Sequence, residues 1–259
     1  MTRPDHRRPR KRVTWQVRIR VLLATLASLF LLCLGSLLML IVGVLTGFQT
    51  RRFYTEVLAR GLSRIALGFY GVRIIEHRDF PFPSRQTVYI SNHTSALDMF
   101  VLIALGFPNC RYFLSGFLRS MLPLWIIGWM IGIFWTAPQS QGKQRTMIFQ
   151  SADRLLRKTG ESVFLTPEGQ VTWVYNRGAF HLATSLKAPI LPIYIFIPNE
   201  VDPGPWTNGD GLDVRAGDIH VYYRPEIDSS SWSIEDVSLN RDQVRSMYVA
   251  WAKELSDGR

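Results

Sequence analysis

Residues 86–98 read QTVYISNHTSALD, and this stretch decides the fold. A short apolar run ends at Ile90, a polar turn follows, and a helix is predicted from near Ser95, with Ala96 to Leu105 helical. A strand that passes through a polar turn into a helix is the opening of an α/β unit. His93 sits in the turn, where a substrate can reach it. Asp98 lies near the end of the first helical turn, facing back toward it. A carboxylate there can hold one imidazole nitrogen, fix the tautomer and stabilise the imidazolium formed when the other nitrogen takes a proton. The pair is then a general base for a hydroxyl or amine. The same residues admit a plainer reading. Ser95 and Asp98 also form an S-x-x-D capping box, and an acid suits the start of a helix. Spacing alone leaves both readings open.

Working outward, strands and helices alternate. VRIIEH, from Val72, is a predicted strand. Arg145 to Lys158 reads as an amphipathic helix, ESVFLT as a strand running into Pro-Glu-Gly, and Gly178 to Leu186 as a helix. PILPIYIFI is a buried strand, DIHVYYRP another, and Asn240 to Leu255 a final helix. The Gly-, Pro-, Asp- and Asn-rich stretch from Pro198 to Gly217 is a loop. The expected fold class is α/β, with a mixed, largely parallel sheet covered by helices. Leu114 to Trp135 is apolar, with Arg119 its one charge. It suits either a buried helix and strand or a surface in a membrane interface, which Trp125, Trp129 and Trp135 would favour.

The formal net charge is +10, but residues 1–20 carry eight Lys or Arg against one acid, Asp5. The basicity belongs to a tail, and the near-neutral remainder argues against nucleic-acid binding. A basic tail beside an apolar run fits an anionic membrane leaflet. That run, Val21 to Phe48, has no charged residue and as a helix would extend roughly 40 Å, enough for a bilayer core of about 30 Å. A single crossing directed by the basic cluster would put the rest of the chain outside the cell. Breaks at Gly35, Gly43 or Gly47 would let the segment dip in and return, pairing with the helical stretch Tyr54 to Tyr70. The re-entrant arrangement is preferred, because it keeps the globular part on the same side of the membrane as the basic tail. The divisions expected are a basic tail over 1–20, a membrane-embedded helical segment over 21–70 and a globular domain over 71–259. Cys33 and Cys110 build neither a disulfide framework nor a metal site. No G-x-S-x-G elbow, Walker loop or dinucleotide fingerprint occurs.

Five blocks in order resemble the glycerolipid acyltransferase superfamily, whose best-known members acylate lysophosphatidic acid. NHTSALD (Asn92 to Asp98) is similar to its NHxSxxD block and Phe164-Leu165-Thr166-Pro167-Glu168-Gly169 to its FPEG block. Gly178-Ala179-Phe180, Ala188 to Ile193, and the strand from Gly217 resemble three further, weaker blocks. The resemblance implies a membrane-bound acyltransferase of phospholipid biosynthesis, at the cytoplasmic face of the inner or plasma membrane. It implies His93 as the base and Asp98 as its orienter. It places Asn92, Ser95, Pro167, Glu168, Gly169, Arg177 and Pro192 at the substrate, with Glu168 helping to hold the acceptor. No metal or cofactor is implied. Acyl-CoA or acyl carrier protein would be the co-substrate, membrane lipids the other partner, and the apolar segments around Leu114 to Trp135 an acyl tunnel. A non-catalytic lipid-binding scaffold and a hydrolase directing the same pair at water are the competing readings. The pattern departs from the family where arginines would grip the acceptor phosphate: Gln170 and Val171 follow Gly169, and Ala137 follows the block ending at Thr136. The acceptor is therefore expected to be something other than lysophosphatidic acid, or to be held differently, with Lys143, Arg145 or Arg177 as substitutes.

Overall fold

The computed structural model describes residues 14–93, 95, 97–168, 174–198, 200–201 and 214–257. Helix α1 (Trp15–Leu45) is unbroken, about 46 Å long at 1.5 Å per residue. The chain then reverses at Gly47 and Phe48, both with positive φ, +61° and +59°. It returns through α2 (Arg51–Phe53), a π-helical turn (Tyr54–Ala59) and α3 (Arg60–Phe69). The two arms run antiparallel. Thr46 Oγ1 lies 2.7 Å from the Tyr54 hydroxyl near the reversal, and Thr25 Oγ1 lies 3.0 Å from the Tyr70 hydroxyl at the open end. The stretch Tyr54 to Tyr70 therefore pairs with α1, and Gly35 and Gly43 do not break that helix. They are packing positions: a Cβ on Gly35 would stand 2.5 Å from Leu62 Cδ1, and one on Gly43 2.5 Å from Phe48 Cε1.

After the hairpin come β1 (Val72–His77), β2 (Val88–Ser91), α4 (Asp98–Leu105) and β3 (Cys110–Ser115). A 3-10 turn (Gly116–Ser120), α5 (Leu122–Ile131), β4 (Phe134–Thr136), α6 (Gly142–Thr159) and β5 (Ser162–Leu165) follow. The chain closes with α7 (Gly178–Leu186), β6 (Ile190–Phe196), β7 (Gly217–Tyr223) and α8 (Val237–Asp257). One seven-stranded sheet has the order β1-β7-β6-β2-β5-β3-β4. Strands β6, β2, β5, β3 and β4 are mutually parallel, β7 runs antiparallel to β6, and β1 parallel to β7. Every residue of β2 and β5 is buried, as expected for central strands covered on both faces. One core cluster joins the sheet to α1, α3, α4 and α5, and the other joins it to α6, α7 and α8.

Two sequence expectations shift, and a third cannot be compared. Helix α4 begins at Asp98 rather than near Ser95, because the side chains of Ser95 and Asp98 satisfy backbone N–H groups of the turn ahead of it. The apolar stretch Leu114 to Trp135 holds parts of two strands as well as α5, and it is both buried and exposed. Ile127 and Ile131 enter the core, while Phe117, Leu122, Trp125 and Trp129 stand outside. Most of the Pro198 to Gly217 loop lies outside the described residues.

The hairpin is fastened to the sheet by charge. Arg51 and Arg111 both bond to Glu161, which starts the approach to β5, and Arg51 Nη1 also donates to the carbonyls of Cys110 and Ile131 at 3.3 Å. Burial alone would raise the Glu161 pKa, but the Arg111 hydrogen bond and the two guanidinium charges outweigh it and hold the carboxyl below its ordinary value. A depressed acid contributes stability that is complete above the ordinary glutamate pKa of about 4.3 and is lost as pH falls through its lower folded value. Glu161→Gln, which leaves two largely buried guanidinium groups uncompensated, is expected to cost about 3 kcal/mol in denaturant unfolding at pH 7. The difference from wild type should shrink on acidification below pH ~4.

Candidate active site

All five parallel strands end at one rim, and the chemistry-bearing turns are adjacent there because β2 pairs with β5. Beyond Ser91 the ladder with β6 is continued by a side chain. Asn92 Nδ2 donates to the Ile195 carbonyl at 2.8 Å, and the Ile195 N–H donates to Asn92 Oδ1 at 2.7 Å. Ser91 Oγ donates to the Asn92 carbonyl at 2.9 Å. Asn92 is thus a buried clamp that aims the next residue, His93, out of the sheet.

His93 Nδ1 lies 2.7 Å from Asp98 Oδ2. The same oxygen accepts the Ser95 N–H at 3.0 Å, and Ser95 Oγ accepts the Leu97 N–H at 3.0 Å. One carboxylate oxygen therefore both braces the turn ahead of α4 and holds the imidazole. As a carboxylate is acceptor-only, Nδ1 carries the proton and Nε2 is left with its lone pair. Asp98's side chain is 2% exposed and His93's 30%, so the orienting group is dry and the basic nitrogen reachable. Burial weighs against the charged imidazolium, but the hydrogen bond and charge of Asp98, with the charge of Glu168, outweigh it. The His93 pKa consequently lies above the ordinary histidine value.

Glu168 is buried at the end of β5, close enough for its charge to act on His93. Pro167, buried before it, accepts two hydrogen bonds from Asn176, from the backbone N–H at 2.8 Å and from Nδ2 at 3.0 Å. These bonds close the stem of the turn. Asn176 was not foreseen, and nothing in its sequence position marks it. Gly169, Gln170 and Val171 lie outside the described residues, as do Thr94 and Ala96.

The structure brings Asn92, His93, Ser95, Asp98, Pro167 and Glu168 together. Two expected residues stand apart. Arg177 is exposed at the N-cap of α7, and its charge acts on His181 and Asp242. Pro192 is buried in the middle of β6, beside Ile90 of β2, with its carbonyl accepting the Arg224 N–H at 3.0 Å. Its missing N–H coincides with the start of β6–β7 pairing at Ile193. The substitute cations separate too. Arg145, in the first turn of α6, donates from Nη1 to the Ala137 carbonyl at 3.0 Å, so its guanidinium stands at the end of β4.

An apolar pocket opens beside this rim. Met99 and Phe100, the two residues after Asp98, line one wall, Leu114 and Trp135 another, and Leu32 and Leu62 of the hairpin a third. His93 itself is not in the lining. Met99 and Phe100, next to Asp98 in α4, are its nearest lining residues to the pair in sequence.

A family model described as Acyltransferase matches residues 72–196. A chloroplastic 1-acyl-sn-glycerol-3-phosphate acyltransferase of Brassica napus is 27% identical over 72% of this chain and 56% of its own length. A chloroplastic protein of the same description from Arabidopsis thaliana is 26% identical over 88% of this chain and 64% of its own. The chain thus spans little more than half to just under two thirds of the length of these plant relatives. The crystal structure of the 1-acyl-sn-glycerophosphate acyltransferase of Thermotoga maritima superposes with a TM-score of 0.72, covering 93% of this chain and 98% of that one, at 16% identity. That similarity is one of fold.

If His93 works as a base, the neutral imidazole is its active form. The raised pKa then puts the acid limb of kcat/KM above about pH 6.5, with activity rising through it. Asp98→Asn should lower the rate by roughly 10²–10⁴-fold and move that limb downward, as burial of the imidazolium is left without its counter-charge. A pH–rate profile of the two proteins checks both.

Proposed function

The chain belongs to the glycerolipid acyltransferase superfamily, and from that premise we propose that it moves a fatty acyl group from a thioester to the free hydroxyl of a lysophospholipid. The observation that carries the proposal is the 2.7 Å bond from His93 to a buried carboxylate, which turns Nε2 outward beside an apolar pocket. Nε2 removes the proton of the acceptor hydroxyl, and the oxygen attacks the thioester carbonyl directly. The C–O bond forms, the tetrahedral oxyanion collapses with loss of the thiolate, and the imidazolium returns its proton to sulfur. Asp98 stabilises the imidazolium in between. Glu168 favours the same charged state and helps to hold the acceptor. The acyl chain enters between the apolar side chains of the pocket, which part to admit it, and acyl-CoA or acyl carrier protein supplies it.

The acceptor is a lysophosphatidic acid held differently from the family pattern. Relatives of the chain are named for 1-acyl-sn-glycerol-3-phosphate, and Arg145 supplies a guanidinium at Ala137, where the family arginine is missing. A guanidinium carries five N–H donors, so the bond to the Ala137 carbonyl does not exhaust it, and its planar fork suits phosphate oxygens. Arg177 is the weaker candidate, since it stands beside His181 and Asp242.

The protein works at a membrane. Only 33% of the most apolar stretch of α1 is buried, its outward face carries leucine, isoleucine, valine and phenylalanine, and Phe117, Leu122, Trp125 and Trp129 expose further large apolar surface near it. A reversal at Gly47 and Phe48 brings both arms back to one side, which fits a re-entrant anchor with its globular part at the cytoplasmic face.

The test is acyl transfer by the purified protein in detergent micelles. Phosphatidic acid should form from lysophosphatidic acid and acyl-CoA or acyl carrier protein, and His93→Ala should abolish it. Arg145→Ala should raise the KM for lysophosphatidic acid about tenfold or more, as loss of a charge-assisted bond costs about 1.5–3 kcal/mol. Its effect on a lysolipid without a terminal phosphate should be small. Transfer to no lysolipid at all, with the protein folded, would favour the lipid-binding scaffold.

A further inference from the structure

Helix α8 lies beyond residues 72–196, the span that matches the family. One of its side chains nevertheless enters the sheet directly behind the site. Tyr248 is fully buried. Its hydroxyl accepts the Ile193 N–H of β6 at 3.1 Å and lies 2.9 Å from the Ile90 carbonyl of β2 and 3.1 Å from the Ile193 carbonyl. In the β2–β6 register Ile90 stands opposite Pro192 and Ser91 opposite Ile193. A regular parallel ladder would therefore join the Ile193 N–H to the Ile90 carbonyl. The tyrosine hydroxyl braces that rung, bonding to its donor and to its acceptor alike. Two residues further on, the Asn92 amide bridges the same two strands through Ile195. So the last stretch of β2 before His93 is set by two side chains rather than by the ladder alone.

The ring of Tyr248 reaches the second turn of the site as well. It packs edge-on against Tyr175 at 5.7 Å between centroids. Tyr175 precedes Asn176, whose two bonds to the Pro167 carbonyl hold the turn carrying Glu168. One buried side chain thus underlies both turns, through its hydroxyl on the His93 side and its ring on the Glu168 side.

The geometry points to Tyr248 as a positioning residue for acyl transfer, one that aligns His93 with Glu168 from the C-terminal helix. It touches no substrate and acts through Ile90–Asn92 and Tyr175–Asn176. This rests on the acyl-transfer reading above. Misplacement of a catalytic group by about 1 Å can cost on the order of 10²-fold in rate. The loss of one hydroxyl from a rung three residues before His93 is a smaller displacement and should cost about tenfold.

The experiment compares Tyr248→Phe with Trp251→Phe, His93→Ala and wild type. Trp251 packs on the Tyr248 ring at 4.9 Å without reaching the β2–β6 rung, so it controls for lost packing. Tyr248→Phe should lower kcat about tenfold with both KM values within about twofold, and shift the acid limb of kcat/KM downward as Glu168 moves off His93. Trp251→Phe should lower Tm and leave kcat and the limb in place. Amide hydrogen exchange over residues 86–93 should quicken in Tyr248→Phe and not in Trp251→Phe. A Tyr248→Phe protein with wild-type kcat and pH limb, whatever its Tm, overturns the assignment. So does one that does not fold, since the hydroxyl would then serve the fold as a whole. If His93→Ala keeps full activity, it is the acyl-transfer reading that fails. If His93→Ala is dead and Tyr248→Phe is unaffected, the positioning role alone falls.

Discussion

Asp98 Oδ2 is the atom on which the site turns. It accepts from the imidazole of His93 and from the backbone of Ser95 within one turn of chain. The second bond explains the first. Fixing the carboxylate to the peptide group of Ser95, at the first residue of α4, costs the imidazole bond little further ordering, because the helix start has already fixed the acid. A carboxylate hung from a flexible loop would have to be immobilised anew in each encounter with substrate. Here the turn at the helix start and the imidazole share one group, so the geometry of the His93–Asp98 pair is as rigid as the start of the helix.

Two consequences of the parallel sheet build outward from that atom. Strands β2 and β5 are neighbours that end at the same rim, which puts His93 and Glu168 on adjacent turns although 75 residues separate them in the chain. The rest of α4 then runs away from the rim with Met99 and Phe100 on the pocket wall, opposite Leu32 and Leu62. The hairpin forms part of the wall behind the chemistry, and its fixing through Arg51 and Glu161 to the base of the sheet holds that wall in place.

Much of this was legible in the chain, for identifiable reasons. The strand–turn–helix around His93 stands out because an apolar run meets a polar turn and then a helical pattern within thirteen residues. The helix Gly178–Leu186 and the mixed, largely parallel sheet were legible for the same cause. The short β4, Phe134–Thr136, was not, since three residues inside a longer apolar stretch carry no period. Gly35 and Gly43 misled, because a glycine that admits a neighbouring side chain reads like one that breaks a helix until Leu62 and Phe48 are placed against them. Arg145 was one of three plausible cations, and only the bond to Ala137 singles it out. Tyr248 and Asn176 gave no sign, because their partners are backbone groups brought near by the fold.

The central claim is that His93 activates the acceptor hydroxyl for direct attack on the thioester. Incubation with a radiolabelled acyl thioester, with and without lysophosphatidic acid, tests it most directly. The account predicts label in phosphatidic acid only when both substrates are present, no label on the protein at any time, and near-complete loss of transfer in His93→Ala. Label trapped covalently on the protein, or transfer undiminished in His93→Ala, would contradict it.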